Sequence, residues 1–425
     1  MLQIDHIYEF LYQELFKDFD LWYCKNGVVN TNQVSCEDII VFTQGLETTK
    51  KIFFYDQEPF IHEISNQYMD IFNWQSKYSI EELINLAKTD QMPYGHTSPD
   101  EIKILSEDPD RMHKKAVLVT SEYSPTVLSY VNDDLKNLYY FFHGFAALDW
   151  YRGHYALNYN KLIVKKYNYD FITFNRIITD DRSYRIYFVS LLKEQNLLTN
   201  GAVSFNVTDN SFDDWCDEVA SPNTKLSEKA RYHAEQHLTN ISKLVIDRLE
   251  MPGSASADIL RSFISALPPE SYKPIDVDAF WHIVTETVFY YDKLHLTEKI
   301  FKPIVSKQPF MLLASPGNLA YLKSYGFKTF DSVIDESYDL IQDNDARIEA
   351  VVKQLHWYCN LTPDEKTDTI QQLEPIIDFN FHHFYGEFRH IITDELLDNT
   401  KTLFKEIGYD DSHINYTNIH HILTH

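Results

Sequence analysis

The chain has 425 residues with 38 Lys+Arg against 63 Asp+Glu, and 38 − 63 gives a formal charge of −25. Long-range repulsion at that charge excludes a general nucleic-acid-coating or membrane-surface role, while leaving room for a small anion held by a few placed cations. Disorder is excluded by 44% hydrophobic residues, with 29 Tyr, 28 Phe and 6 Trp, and the length predicts two or three domains with cores of their own.

The N-terminal stretch MLQIDHIYEFLYQELFKDF carries Asp5, Glu9 and Glu14 where a signal peptide needs an unbroken apolar run, so it predicts an amphipathic helix. No stretch approaches the ~18 apolar residues of a membrane span. Cys24, Cys36, Cys216 and Cys359 lie far apart without CxxC spacing, which predicts reduced thiols in a cytoplasmic, soluble protein.

Short apolar runs at 39–42, 51–55, 116–120, 138–142, 171–174, 202–205, 280–284 and 309–313 read as buried strands. Helical patterns lie between several of them, such as SIEELINLAKT at 79–89 and DDRSYRIYFVSLLKEQNLL at 180–198. In the latter, Tyr184, Phe188, Leu191 and Leu192 share a face. Alternation of this kind predicts an α/β protein with parallel sheets. A fresh strand and helix after the aromatic segment at 141–160 place a domain boundary near 160, and from 345 onward the pattern is helical. The expected organisation is 1–160, 161–345 and a helical tail at 346–425.

The 11 glycines form no GxG, so a dinucleotide fingerprint and a Walker loop are both excluded. Any phosphate must be met by side chains and helix N-termini. Three segments qualify. In HLTEKIFKPIV, Thr297 is a good N-cap that puts Glu298 and Lys299 in a first turn, where the helix dipole favours an anion; Pro303 predicts a short or kinked helix. In FITFNRIITDDRSYRIYF, Arg182 and Arg185 lie one turn apart near a helix start and suit a pyrophosphate, unless they pair with Asp180 or Asp181. In KKIFFYDQEPF, a strand runs out into Glu58, a placement that suits a general base and equally a solvated loop acid. The chance level of acids argues against reading Asp276-Val-Asp278 as a metal motif, and His382-His383 and His420-His421 lack ligand spacing.

In this order the segments resemble the α1,3/α1,4-fucosyltransferase family, inverting transferases of the two-lobed GT-B type. IVTE at 283–286, HLTEK at 295–299 and QPFMLLASP at 308–316 carry the likeness most clearly, and it extends over roughly 168–340. The resemblance implies two Rossmann-like lobes with a helical C-terminal tail: an acceptor-side lobe at 1–160 and a nucleotide-sugar-binding lobe at 161–345. It implies that Lys299 and Arg185 meet the donor diphosphate, beside Arg182 as the second arginine of the pair, and that Glu58 is the catalytic base. Glu298, Glu286, His295, Thr297 and Asn175 would then surround ribose, sugar and base, with Trp150 and Arg152 as acceptor-side candidates. His295 replaces the family's tyrosine and Thr287 its asparagine, which leaves the donor sugar open, GDP-fucose being the first expectation.

The expected reaction is metal-independent transfer from a nucleotide sugar, the co-substrate, with no bound cofactor. A glycan, a lipid-linked sugar or a modified DNA base is the expected acceptor, and the low-glycine, Tyr/Asn/Asp-rich composition fits an AT-rich viral or microbial genome. Two rivals are a glycoside hydrolase, which needs paired carboxylates but no cationic clamp, and a non-catalytic carbohydrate-binding module on a transferase scaffold.

Overall fold

The computed structural model describes residues 13–17, 20–23, 51–54, 82, 85, 88, 116–120, 138–140, 142, 144–151, 154–155, 159–160, 167–175, 177–205, 214–238, 279–290 and 293–424, with backbone alone for the four strands before residue 141. The strand expected at 39–42, Glu58, Arg152, the side chain of Trp150, and the Asp276-Val-Asp278 pair lie outside the described residues. The chain divides into two compact units, Met1–Phe145 with Ile392–His425, and Ala146–Ile391. Both are α/β in their described parts.

The first unit holds a parallel sheet in the order β1-β2-β3-β4 (Asp20–Tyr23, Lys51–Phe54, Ala116–Thr120, Leu138–Tyr140). Its strands pair in register throughout except for a shift in β1 between Leu21 and Tyr23. Parallel neighbours need long crossovers, and the wide spacing of these strands provides the chain length. β1, DLWY, has no counterpart among the expected strands, because four residues directly after a helical pattern carry no period of their own. Residues 82, 85 and 88 are helical, as the 79–89 pattern predicts.

After α1 (Gly144–Trp150), the second unit builds its sheet from β5 (Tyr169–Thr173), β6 (Gly201–Val203), β7 (Ala279–Thr285) and β8 (Phe310–Leu313), all parallel and ordered β6-β5-β7-β8. β7 and β8 are buried along their whole length, which explains their unbroken apolar sequences. Gly201 is required by packing: a Cβ there would lie 2.2 Å from the Phe171 ring.

Between β5 and β6 runs α2 (Tyr184–Glu194), preceded by a 3-10 turn at Asp180–Arg182. Residues Tyr184 through Leu192 are all buried, so α2 is enclosed on every side and the single apolar face expected from its pattern is only part of its contact surface. α3 (Asp214–Ala220) and α4 (Glu228–His237) follow β6, and Ser227 caps α4 by accepting from the Ala230 N–H. α5 (Glu298–Val305) joins β7 to β8, and α6 (Asn318–Ser324) follows β8. The segment 326–330 after α6 is irregular.

The expected helical C-terminal region is present, but its helices are shared out. α7 (Asn344–Cys359) and α8 (Pro363–Tyr385) belong to the second unit, α9 (Glu387–Ile407) straddles the division, and α10 (Tyr416–Thr424) belongs to the first. Phe301 of α5 packs on Phe384 and Phe388, with ring centroids 5.5 and 5.3 Å away, which anchors α5 under α8. Among the described residues no helix is long and apolar enough to cross a membrane.

Candidate functional site

Strand order fixes where a site forms. β5 and β7 are neighbours, yet the chain leaves β5 toward β6 on one side and leaves β7 toward β8 on the other. The loops beyond their carboxyl ends therefore diverge, and ligands of open α/β sheets gather in the crevice such a reversal creates. The segments 174–185 and 286–299 enter here, which brings Asn175, Arg182, Arg185, Glu286, Thr297, Glu298 and Lys299 to one end of the sheet.

The two strand ends are tied together. Thr285 Oγ1 donates to the Phe174 carbonyl at 3.0 Å. Asn175 is fully buried; its N–H donates to Ser204 Oγ at 2.9 Å and its Nδ2 to the Ser204 carbonyl at 3.1 Å, while its Oδ1 has no hydrogen-bond partner among the described residues.

Glu286 follows directly on β7 and is 0% exposed. Its carboxylate accepts the Thr297 N–H at 3.1 Å, the Thr297 hydroxyl at 2.6 Å and the Thr287 N–H at 3.3 Å. Burial raises its pKa, against the opposing pull of Lys299 and of the Thr297 hydrogen bonds. The resemblance implies that this carboxylate lines a sugar pocket. In the structure it instead holds the start of α5 against the end of β7.

Thr297 caps α5 as expected, its Oγ1 accepting from the Lys299 N–H at 3.3 Å. The Lys299 ammonium donates to Thr287 Oγ1 and Thr297 Oγ1, both at 3.1 Å, and to Glu298 Oε1 at 3.0 Å. Its side chain is 34% exposed and that of Glu298 21%. A cation is thus held over the first turn of a helix by hydroxyls and one carboxylate, with part of its surface open. Pro303 lies inside this eight-residue helix, consistent with the expected brevity. Tyr151 supports the turn from outside by donating to the Glu298 carbonyl at 3.0 Å.

Arg185 has a different task from the one expected. It is 3% exposed, with Nη1 donating to the Ile177 carbonyl at 2.8 Å and Nη2 to the Thr285 carbonyl at 2.7 Å, while Glu286 O lies at 3.4 Å. Burial lowers its pKa. Backbone carbonyls occupy both terminal nitrogens, so it ties the loop after β5 to the end of β7, while its Nε has no hydrogen-bond partner among the described residues. The geometric premise is corrected too: Arg182 ends the 3-10 turn, outside α2, and is partly exposed. Asp181 pairs with Lys225, and Asp180, in the left-handed region at φ 52°, receives its own anchor when its N–H donates to Glu218 Oε2 at 3.2 Å.

His295 is buried, its N–H donating to Asn318 Oδ1 at 3.1 Å, so its backbone shapes the loop before α5. The sequence gives no hint of the aromatic wall beside these groups. Tyr184 donates to the Glu286 carbonyl at 2.6 Å and stacks on Phe289 at 3.9 Å, and Ser183 Oγ shares a 2.9 Å hydrogen bond with Tyr290. Arg347 covers Phe289 at 4.2 Å and donates to the Phe289 carbonyl at 3.0 Å.

No family model, curated protein or solved structure matches the chain.

Proposed function

We propose that the second unit binds the nucleoside diphosphate part of a nucleotide sugar and that the protein is an inverting glycosyltransferase of GT-B type. The observation that carries this reading is Lys299: an ammonium held in the first turn of the helix after β7, partly exposed, at the carboxyl end of a parallel sheet where strand order reverses. The dipole of a helix N-terminus and a fixed cation together favour a diphosphate. Glu298, now bonded to Lys299, is released to ribose hydroxyls when the ammonium turns to the diphosphate. Arg182 is the second diphosphate candidate, and Arg185 becomes a positioning residue that sets the spacing of the two loops.

In this reading Glu58 takes the proton of an acceptor hydroxyl, whose oxygen bonds to the anomeric carbon as the bond from that carbon to the diphosphate oxygen breaks on the opposite face. Configuration inverts. Negative charge develops on the departing diphosphate, where a preorganised cation acts most strongly. A fucose-like sugar on guanosine diphosphate is the first donor to try, with a glycan, a lipid-linked sugar or a modified nucleobase as acceptor.

The test is release of nucleoside diphosphate from a panel of GDP-, UDP-, CDP- and ADP-sugars. One donor should turn over, and Lys299→Ala should slow it by about 100-fold or more while folding is retained. Turnover that survives Lys299→Ala unchanged, or hydrolysis of aryl glycosides without nucleotide, sinks the reading.

A further inference from the structure

A second cluster of chemically competent side chains lies at the opposite end of α2. His233 and His237 are four residues apart on one face of α4, their rings stacked with centroids 4.3 Å apart and planes 28° from parallel. Glu194, the last residue of α2, faces both. Its Oε2 is 3.2 Å from His233 Nε2 and its Oε1 4.0 Å from His237 Nε2, and one ligand atom from each of the three residues lies within 4.8 Å of the others.

The hydrogen bonds behind His233 bear on what its Nε2 presents. Ser190 Oγ donates to the Tyr187 carbonyl at 2.7 Å, and the same oxygen lies 2.8 Å from His233 Nδ1. A hydroxyl has one hydrogen. When that hydrogen goes to Tyr187, Ser190 accepts, Nδ1 carries the proton and the neutral ring turns the lone pair of Nε2 toward Glu194. That Nε2 is buried and lacks a hydrogen bond of good alignment, although Glu194 is at ion-pair distance. In that tautomer two acceptors face each other at 3.2 Å, a pairing that a cation between them reconciles. A hydroxyl fixing the remote nitrogen of a ligating histidine is also the supporting arrangement that metal sites require.

We propose that Glu194, His233 and His237 form a binding site for a divalent transition metal ion of the Zn2+ class. Two imidazoles and one carboxylate make a borderline-soft set with a fourth position left open. Ligands ~2.0–2.1 Å from a tetrahedral zinc ion stand about 3.3 Å apart, so the Glu194–His233 pair is already spaced for it, and the partly exposed His237 and Glu194 need small rotamer adjustments. Glu194 lies nine residues after Arg185, about 14 Å along α2, so this site is separate from the proposed diphosphate site. The ion would cross-link the end of α2 to the end of α4. The histidines were accessible to sequence reasoning as an H-x3-H pair, but their third partner sits on another helix.

The test is isothermal titration of the full chain, stripped with EDTA and exchanged into chelator-free buffer, with Zn2+, alongside the visible spectrum of a Co2+ complex. Wild type should bind one equivalent and give the intense bands of four-coordinate Co2+. His237→Ala and Glu194→Gln, both at partly exposed positions that leave the core untouched, should each weaken binding by about 10-fold or more. Absence of binding in wild type overturns the proposal. So does binding of undiminished affinity in both variants, which would place the metal elsewhere among the 18 histidines of the chain.

Discussion

The Glu286 carboxylate grips Thr297 twice, accepting its backbone N–H at 3.1 Å and its hydroxyl at 2.6 Å. Thr297 in turn accepts from both the N–H and the ammonium of Lys299. One threonine therefore links a buried charge at the end of β7 to a partly exposed charge at the start of α5. The position of the cation is inherited from the strand.

Thr297→Val keeps the shape and removes this link. Loss of an N-cap costs about 1 kcal/mol and a buried carboxylate deprived of a donor roughly 1–3 more. Urea unfolding should show a destabilisation of about 2–4 kcal/mol, with Thr297→Ser near wild type. A valine variant within about 0.5 kcal/mol of wild type would contradict the arrangement.

Arg185→Met tests the clamp. Truncating the guanidinium leaves the buried Thr285 carbonyl and the part-buried Ile177 carbonyl without their donors, and the expected loss is roughly 3 kcal/mol. Arg185→Lys, which has no fork, should recover only part of it. A methionine variant as stable as wild type would return Arg185 to the role of a phosphate ligand.

The difference between the two arginine roles shows what the sequence could not carry. RSYRIYF declares a helix start with two cations, but a backbone carbonyl and a phosphate oxygen are both acceptors, and nothing local tells which one a guanidinium meets. Most strands of the second unit were legible because β7 and β8 are buried and mostly apolar and β5 is buried from Phe171 to Thr173. Their order was not legible, because β5–β7 pairing joins segments more than a hundred residues apart. The crevice depends on that order. Thr297 as a cap was legible, since capping chemistry is local; Glu286 as its partner was not, since an acid after a strand reads equally well as a pocket residue. β1 was missed for want of length, since four residues directly after a helical pattern carry no period of their own.

Asp339 supplies a pH signature. It accepts from the Leu319 N–H at 3.1 Å in the first turn of α6, and burial pushes its carboxyl up from 3.8 to about 6. The folded chain then binds this proton more tightly than the unfolded chain, so the contribution of Asp339 is greatest below pH 3.8 and is lost as pH rises through about 6. A shift of 6 − 3.8 = 2.2 corresponds to up to ~3 kcal/mol. Asp339→Asn should remove that slope, so the stability difference between wild type and variant should change across this window in chemical denaturation. Parallel pH profiles would contradict it.

Gly201→Ala should destabilise the second unit by about 1–3 kcal/mol through overpacking against the Phe171 ring. Phe171→Leu should relieve part of that cost. A double-mutant cycle by urea unfolding should therefore return a favourable coupling, and strict additivity would mean that the two residues do not meet.

The most direct measurement is thermal unfolding of wild type and Lys299→Ala with millimolar GDP, UDP, CDP and ADP in EDTA. A ligand at about 100 times its dissociation constant stabilises the native state by ~2.7 kcal/mol, which is easily seen. The account predicts a rise in unfolding temperature with one diphosphate in wild type and its loss in Lys299→Ala; no shift with any of the four, or an equal shift in the variant, would contradict it.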